Sequence, residues 1–459
     1  MQDPLLNPEL REYITSNNVE ALRVFAEKTT PAVAAEYLAA FGPAEIWQVI
    51  RTVKPGLGAE IFTFLDEDVQ TEIATIIKRD EIAKLLTEMS ADDRVDLLKN
   101  IPEDRRQAIM PALAKAERED IRRLSAHKEG TAGSVMTSDY ATISPLFTVS
   151  QAIDRLRLEA PDKETIYYAY VVDENRKLTG FVSLKDLILA RPNALVSNIM
   201  HREVISVHVA EDQESAARLI QKYDLIALPV INGGDVLVGI ITHDDAIDII
   251  TQEHTEDMEK FMAIGGSHEG AVYMKTSVWG HFRNRAPWVV ALAILGLVSG
   301  FIVQSFEGLL IQFTVLAAFM PMLADTGGNT GSQSATLVVR ALALKEITAK
   351  DILRILAREF RVSLLLAVLL GLIAFVRVIF LGGGSTIPGS YSLTRIGFAI
   401  SFALALQVVT STLVGALLPL GAAKMKWDPA VVASPALTTI VDITGLLIYF
   451  TTAKLLLGI

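Results

Sequence analysis

The chain has 459 residues, 51% of them hydrophobic, with 53 acidic against 42 basic side chains and a formal net charge of −11. That length holds two to four domains. The acidic balance argues against nucleic acid as the main partner and permits a cationic one, while the absence of cysteine excludes a disulfide framework and any thiolate metal site. Most of the charge lies before about residue 285, and the stretch from Ala286 to Ile459 is largely apolar, so a soluble front half and a membrane-embedded back half are expected. The opening MQDPLLNPELREYI is polar, without an apolar run. No cleavable signal is expected there, and the acidic half is expected to stay in the cytosol.

In residues 1–130, apolar pairs spaced by four recur with a period of twelve: Tyr37/Phe41, Val49/Val53, Ile61/Leu65, Ile73/Ile77, Leu85/Met89, Leu97/Ile101 and Ile109/Leu113. The spacing puts each pair on one helical face, with breakers or caps such as Gly42-Pro43, Asp66, Ser90 and Pro102 between them. Short helices stacked into a solenoid-like superhelix are predicted. Asp92, Asp93 and Asp96 form one acidic patch at a helix start, where carboxylates also complement the helix dipole.

Residues 131–252 contain one unit twice. The copies read TIYYAYVVDENRKLTGFVSLKDLI and YDLIALPVINGGDVLVGIITHDDAI. Each has strand, turn, strand, then Gly-x-x-Ser/Thr-x-x-Asp at a helix start: Gly180, Ser183 and Asp186, then Gly239, Thr242 and Asp245. The unit resembles a CBS domain, and the tandem resembles a Bateman pair. The resemblance implies an adenine nucleotide such as ATP as a regulatory ligand, held at Ser183, Asp186, Thr242 and Asp245. A hydroxyl and helix N-terminal amides suit phosphate and a carboxylate suits ribose; helix capping by Ser183 and Thr242 is the plainer alternative.

The following helix, with a linker over 253–280, places Asp245, Asp248, Glu253, Glu256 and Asp257 within roughly half its circumference. Like charges this close repel, and a shared divalent cation would relieve them. Asp212, Glu214 and Asp224 add carboxylates from the second CBS copy. Hard oxygen ligands suit Mg2+, which keeps several of its waters.

Five apolar spans are expected in 281–459, near 286–305, 309–340, 361–381, 396–421 and 430–458. Basic residues before the first span and after the second and fourth place the N-terminus inside and the C-terminus outside. Asp442 lies within the last span, where a carboxylate marks an ion path by default. Asp325, Gly327, Gly328, Asn329 and Gly331 lie in the second span, where the glycines are expected to break the helix and expose carbonyls. Pro435 is expected to free more carbonyls ahead of Asp442.

The run P-x-L-x-x-T-G-G-N-T-G-x-Q-S-A-T-L from Pro321 and the run D-P-A-x-V-x-S-P-x-x-T-T-x-x-D-x-T-G-L-L-I-Y from Asp428 are similar to the signature stretches of MgtE magnesium channels. The order of parts matches as well: an all-α superhelix, an α/β CBS pair, a connecting plug helix and a five-helix membrane domain. The resemblance implies a homodimer in the bilayer of the cell membrane, conducting Mg2+ passively and closed by intracellular Mg2+. It implies a pore site at Asp442, with carbonyl donors around Thr438 and Gly327–Gly328, Asn329 in the same motif, and Asp325 adding charge at the pore mouth. It implies regulatory Mg2+ at Asp92, Asp96, Asp212, Glu214, Asp224, Asp245, Asp248, Glu253, Glu256 and Asp257. Where some members have further acids this chain has Gln221 and Tyr223. Two other readings stay open on the residues: a membrane-anchored nucleotide sensor, and a transporter of another divalent ion such as Co2+ or Ni2+. Neither a nucleophile–base pair nor a metal-ligand His set is evident, so no enzymatic activity is expected.

Overall fold

The computed structural model describes residues 6–265, 273, 276–381, 391–430 and 435–458. Its contacts divide the chain into two compact units, Met1–Thr251 and Gln252–Ile459.

The first unit opens with helices α1 (Leu6–Thr15), α2 (Val19–Lys28), α3 (Pro31–Leu38), α4 (Pro43–Ile50), α5 (Pro55–Thr63), α6 (Glu67–Ile76), α7 (Arg79–Glu88), α8 (Ala91–Asn100), α9 (Glu103–Ile109) and α10 (Lys115–Leu124). From α3 onward the starts fall at 31, 43, 55, 67, 79, 91, 103 and 115, the twelve-residue period of the sequence. Proline at the first position of α3, α4 and α5 presets the turn where no intrahelical N–H is lost. Helices this short are unstable alone. Alternate ones pack together, and the repeated apolar pairs are buried, apart from half-buried Val53. Arg94 is buried in this stack, with Nε donating to the Leu86 carbonyl at 2.6 Å and a terminal nitrogen to that of Met89 at 2.8 Å. It thereby satisfies the carbonyl end of α7.

The two CBS copies follow with the same topology. In the first, β1 (Tyr140–Ile143), α11 (Val149–Glu159), β2 (Thr165–Val172), β3 (Leu178–Ser183), α12 (Leu184–Leu189) and α13 (Val196–Ile199) build a sheet of order β1-β2-β3. In the second, β4 (Val207–His208), α14 (Gln213–Tyr223), β5 (Ala227–Ile231) and β6 (Leu237–Thr242) give β4-β5-β6. The first pair of strands in each is parallel and the second antiparallel. Leu178 N donates to Asp235 O and Leu237 N to Arg176 O, stitching the copies edge to edge. Tyr140 and Tyr170, both buried, donate their hydroxyls across the same seam to the Leu237 and Ala227 carbonyls.

Helix α15 (His243–Phe261) leaves the second copy and runs into the second unit. There α16 (Val278–Ser305), α17 (Glu307–Gln312), α18 (Thr314–Ala343), α19 (Ile352–Leu381), α20 (Leu393–Lys424) and α21 (Pro435–Leu457) form a bundle. Helix α20 packs against α18, α19 and α21, and α16 packs against α21. Among the described residues, four segments are long and apolar enough to cross a membrane: Val278–Ser305, Ala349–Phe380, Leu393–Lys424 and Ala436–Leu457. The expected second span is α18, whose 30 residues give about 45 Å of helix. It falls short on apolarity because Asp325, Asn329, Gln333 and Thr336 form an exposed polar stripe at helical spacing.

One expectation is corrected here. The glycine motif does not break α18, which runs helical through Gly327, Gly328 and Gly331. The glycines serve close packing instead: a Cβ on Gly415 of α20 would collide with the Gly331 carbonyl, so the two backbones can cross only without side chains. Pro435 is the first described residue of α21. Residues 431–434 of the second signature lie outside the described residues.

Candidate metal centre

The N-termini of α8 and α15 bring carboxylates from separate parts of the first unit into mutual repulsion. Asp92 is the most perturbed: burial pushes its carboxyl well up, and Asp245, Asp93 and Glu164 push it further. Its Oδ1 is shut off from solvent and finds no hydrogen-bond partner. Glu164, just ahead of β2, is raised to about 7 by desolvation in the crevice and then by Asp245, Asp93, Asp244 and Asp139. Asp245 reaches about 6, chiefly through burial, with Thr242 opposing and Asp244 adding to the shift. Burial also raises Asp93, Asp139 and Asp248. An orphaned carboxylate oxygen among charges that repel one another fits a divalent cation. Among the described residues no three His, Asp or Glu side chains close into a shell around a bare ion.

Other expected ligands do not converge on it. Asp212 caps α14 by accepting from Ser215 N at 3.1 Å, and Glu214 pairs with Arg218 one turn on. Asp224 is the left-handed residue at the far end of that helix, φ 52°, about 18 Å from Asp212 at 1.5 Å per residue. Asp96 pairs with Lys99 at 2.9 Å while adding to the field on Asp93. Glu253, Glu256 and Asp257 lie on the final turns of α15, assigned to the second unit.

The first Gly-x-x-Ser/Thr-x-x-Asp motif forms a capping box. Ser183 Oγ donates to Asp186 Oδ2 at 2.6 Å and accepts from Asp186 N at 3.1 Å. His201 Nε2 stands 3.1 Å from the same Oδ2. Although desolvation opposes it, Ser183 and His201 hold the Asp186 carboxyl below its ordinary value. Thr242 repeats the arrangement, its hydroxyl and its N–H both donating to Asp245 Oδ2. The second motif thus opens directly on the acidic crevice.

In the second unit Asp442 is half-buried on α21, and no hydrogen bond or ion pair to its carboxylate is found among the described residues. The Thr444 hydroxyl donates to the Ile440 carbonyl at 2.8 Å. Around Asp442, Val441 is buried against Gly327 and Gly331, and Thr438 lies over Gly328. Asp325 accepts from Asn329 Nδ2 at 3.1 Å on the exposed face of α18. Closing over this region, Phe261 at the end of α15 packs with Ala335, Leu437 and Val441. Lys260 beside it pairs with Glu256 and, at 3.4 Å, with Asp428. Burial pulls the Lys260 ammonium down, but Glu256 and then Asp428 outweigh it and leave it raised.

Comparison with known proteins gives three successive family matches: the MgtE intracellular N domain over residues 29–130, CBS domains over 132–193 and 196–252, and the MgtE divalent cation transporter over 320–452. The magnesium transporter MgtE of Thermus thermophilus is 39% identical over 351 residues, 76% of this chain and 75% of the relative. The chain belongs to the MgtE family of magnesium transporters. The Bacillus subtilis MgtE is 38% identical over 74% of this chain and 73% of the relative. The crystal structure of the soluble part of a magnesium transporter matches with TM-score 0.51 and 31% identity, over 54% of this chain and 97% of that one. This MgtE protein is thus a membrane protein with a cytosolic-type N domain and CBS pair. Several of its notable residues escape a reading of the sequence. Glu164 and Asp139 join the crevice only through tertiary contact, and Lys260 and Asp428 meet only once α15 lies on the bundle. Asp244, in the visible HDDAI string, could have been found from its neighbour Asp245.

Proposed function

We propose that this chain, as a homodimer in the cell membrane with its N-terminus in the cytosol, is a Mg2+ channel whose acidic cytosolic crevice senses the ion and closes the pore. One observation supports the pore most directly: Asp442 lies in an apolar helix whose Val441 packs on the α18 glycines, and its carboxylate has no partner among the described residues. The exposed stripe of Asp325, Asn329, Gln333 and Thr336 is a polar surface that a five-span domain would turn toward water rather than lipid. Entry of a divalent ion down the membrane potential gains about 4.6 kcal/mol per 100 mV, enough to drive uptake without ATP hydrolysis.

In this reading the final turns of α15 are the plug. Mg2+ held by Asp92, Asp93, Glu164, Asp244, Asp245 and Asp248 lifts the repulsion among them and stabilises the arrangement in which Phe261 and Lys260 seat on the bundle. Its loss restores the repulsion and releases the plug. Glu253, Glu256 and Asp257 extend the sensing surface along the same helix. At saturating Mg2+ the closed-to-open equilibrium constant shifts by the ratio of Mg2+ affinities for the closed and open forms.

Flux into proteoliposomes tests both parts. Asp442→Asn should lower Mg2+ uptake at least about tenfold while leaving the cytosolic unit folded. Wild-type uptake by that variant would remove Asp442 from the pore. Uptake by the unmodified chain that ignores Mg2+ on the cytosolic face would leave a channel without this sensor.

A further inference from the structure

Gln407 sits in the middle of α20 with 1% of its surface exposed. A carboxamide inside a membrane bundle is unfavourable unless its donor and acceptor both find partners. Here only half of it does. Nε2 donates to the Leu323 carbonyl of α18 at 3.1 Å, whereas Oε1 is buried with no partner among the described residues.

The neighbouring helices are shaped around this side chain. A Cβ on Gly327 of α18 or on Gly445 of α21 would overlap the Gln407 amide nitrogen. The same Cβ on Gly327 would stand 3.0 Å from Val441 Cγ1. The amide is therefore a wedge between two helices: on one, Gly327 follows Asp325 by two residues; on the other, Gly445 follows Asp442 by three. Two glycines and a half-satisfied amide at one junction are more than packing requires, since leucine with ordinary small residues would fill it at lower free energy.

We propose that Gln407 is a positioning residue of the ion path, setting the separation between the Asp325–Asn329 face of α18 and Asp442 of α21 and so the size of hydrated cation that passes. This rests on the pore reading of Asp442. Mg2+ holds a tight octahedral shell at about 2.1 Å, while Ca2+ takes a larger and looser one at about 2.3–2.6 Å. Spacing set by a rigid wedge discriminates between them, and a path with the wedge removed does not.

The test is flux of Mg2+ and Ca2+ through the full chain in proteoliposomes, for Gln407→Ala, Gly445→Ala and the double variant. Gln407→Ala should retain flux that Asp442→Asn abolishes, with the Ca2+ to Mg2+ ratio raised about fivefold or more. Gly445→Ala alone should lose most flux, because its methyl meets the amide. Adding Gln407→Ala should restore it, because the methyl then occupies vacated space. If Gln407→Ala does not yield folded protein, Gln407→Ser, which also removes the wedge, replaces it in the ratio measurement. A Ca2+ to Mg2+ ratio equal to wild type in a folded, conducting Gln407 variant overturns the proposal. So does a Gly445→Ala defect that Gln407→Ala leaves uncorrected. A fault in the pore reading registers separately, as Asp442→Asn that still conducts while the rescue pattern stands.

Discussion

Binding of Mg2+ to the crevice around Asp92 should release protons, and the number follows from the titration of its members. With Glu164 at about 7 and Asp245 at about 6, at pH about 6.5 the first is about three-quarters protonated and the second about one-quarter. Together the two hold about one proton there, and Asp92 is raised in the same direction by burial and its neighbours. A divalent cation favours the charged forms and expels the protons. Affinity should therefore rise about tenfold per pH unit near pH 6.5 and level off above pH about 8. The fold responds with a definite sign. An acid raised in the native state binds its proton more tightly there than in the unfolded chain. Without Mg2+, stability is thus lost as pH climbs from about 4 through about 7, and Mg2+ restores it. Titration calorimetry on the full chain, in buffers of different ionisation enthalpy, reads the protons directly. Glu164→Gln should remove just under one of them. Release below about 0.3 proton at pH about 6.5, or a count indifferent to Glu164→Gln, would refute the crevice as the Mg2+ site.

Three further outcomes are expected. Lys260→Gln removes a partly exposed bridge between Glu256 and Asp428 worth about 0.2–1 kcal/mol per pair, so residual flux at saturating cytosolic Mg2+ should rise about two- to fivefold. Exchanging charges with Lys260→Asp and Asp428→Lys should reverse that rise, and a residual flux untouched by Lys260→Gln would count against the latch. Gly415→Ala drives a methyl into the Gly331 carbonyl and should lower bundle stability by about 1–3 kcal/mol, read as a smaller monodisperse fraction after heating in detergent; an unchanged fraction would mean the helices cross elsewhere. Arg94→Met strips two bonds from the buried carbonyls of Leu86 and Met89 and should destabilise the first unit by about 2–4 kcal/mol, visible as a lower thermal midpoint without Mg2+. A midpoint equal to wild type would show those carbonyls find water.

Much of the architecture is written in local pattern. The period of twelve reappears as helix starts, because each apolar pair needs the next repeat to cover it. The duplicated Gly-x-x-Ser/Thr-x-x-Asp reappears as one hydroxyl–carboxylate pair at each of two helix starts, because the two groups three residues apart meet there wherever they occur. Hydropathy located the membrane helices to within several residues, since about 30 Å of hydrocarbon demands a set length of apolar helix. Asp442 stood out alone because an unpaired charge in such a helix has no bland neighbours to hide among.

What the sequence could not decide was where chain segments far apart come together. TGGNTG contains residues that favour a break, yet α18 stays helical, because Ser411, Gly415 and Gln407 on α20 approach the glycine face and packing outweighs local propensity. Asp212 and Asp224 share a helix but cap its opposite ends, whereas Glu164 and Asp92 share nothing in sequence and repel each other across one crevice. Gln407 reads as one polar residue in an apolar span, and only the glycines cut away around it on two other helices give it a role. Periodicity and composition act within a segment and determined the parts; charge repulsion, close approach and shared burial act between segments, so the sites belong to the tertiary structure.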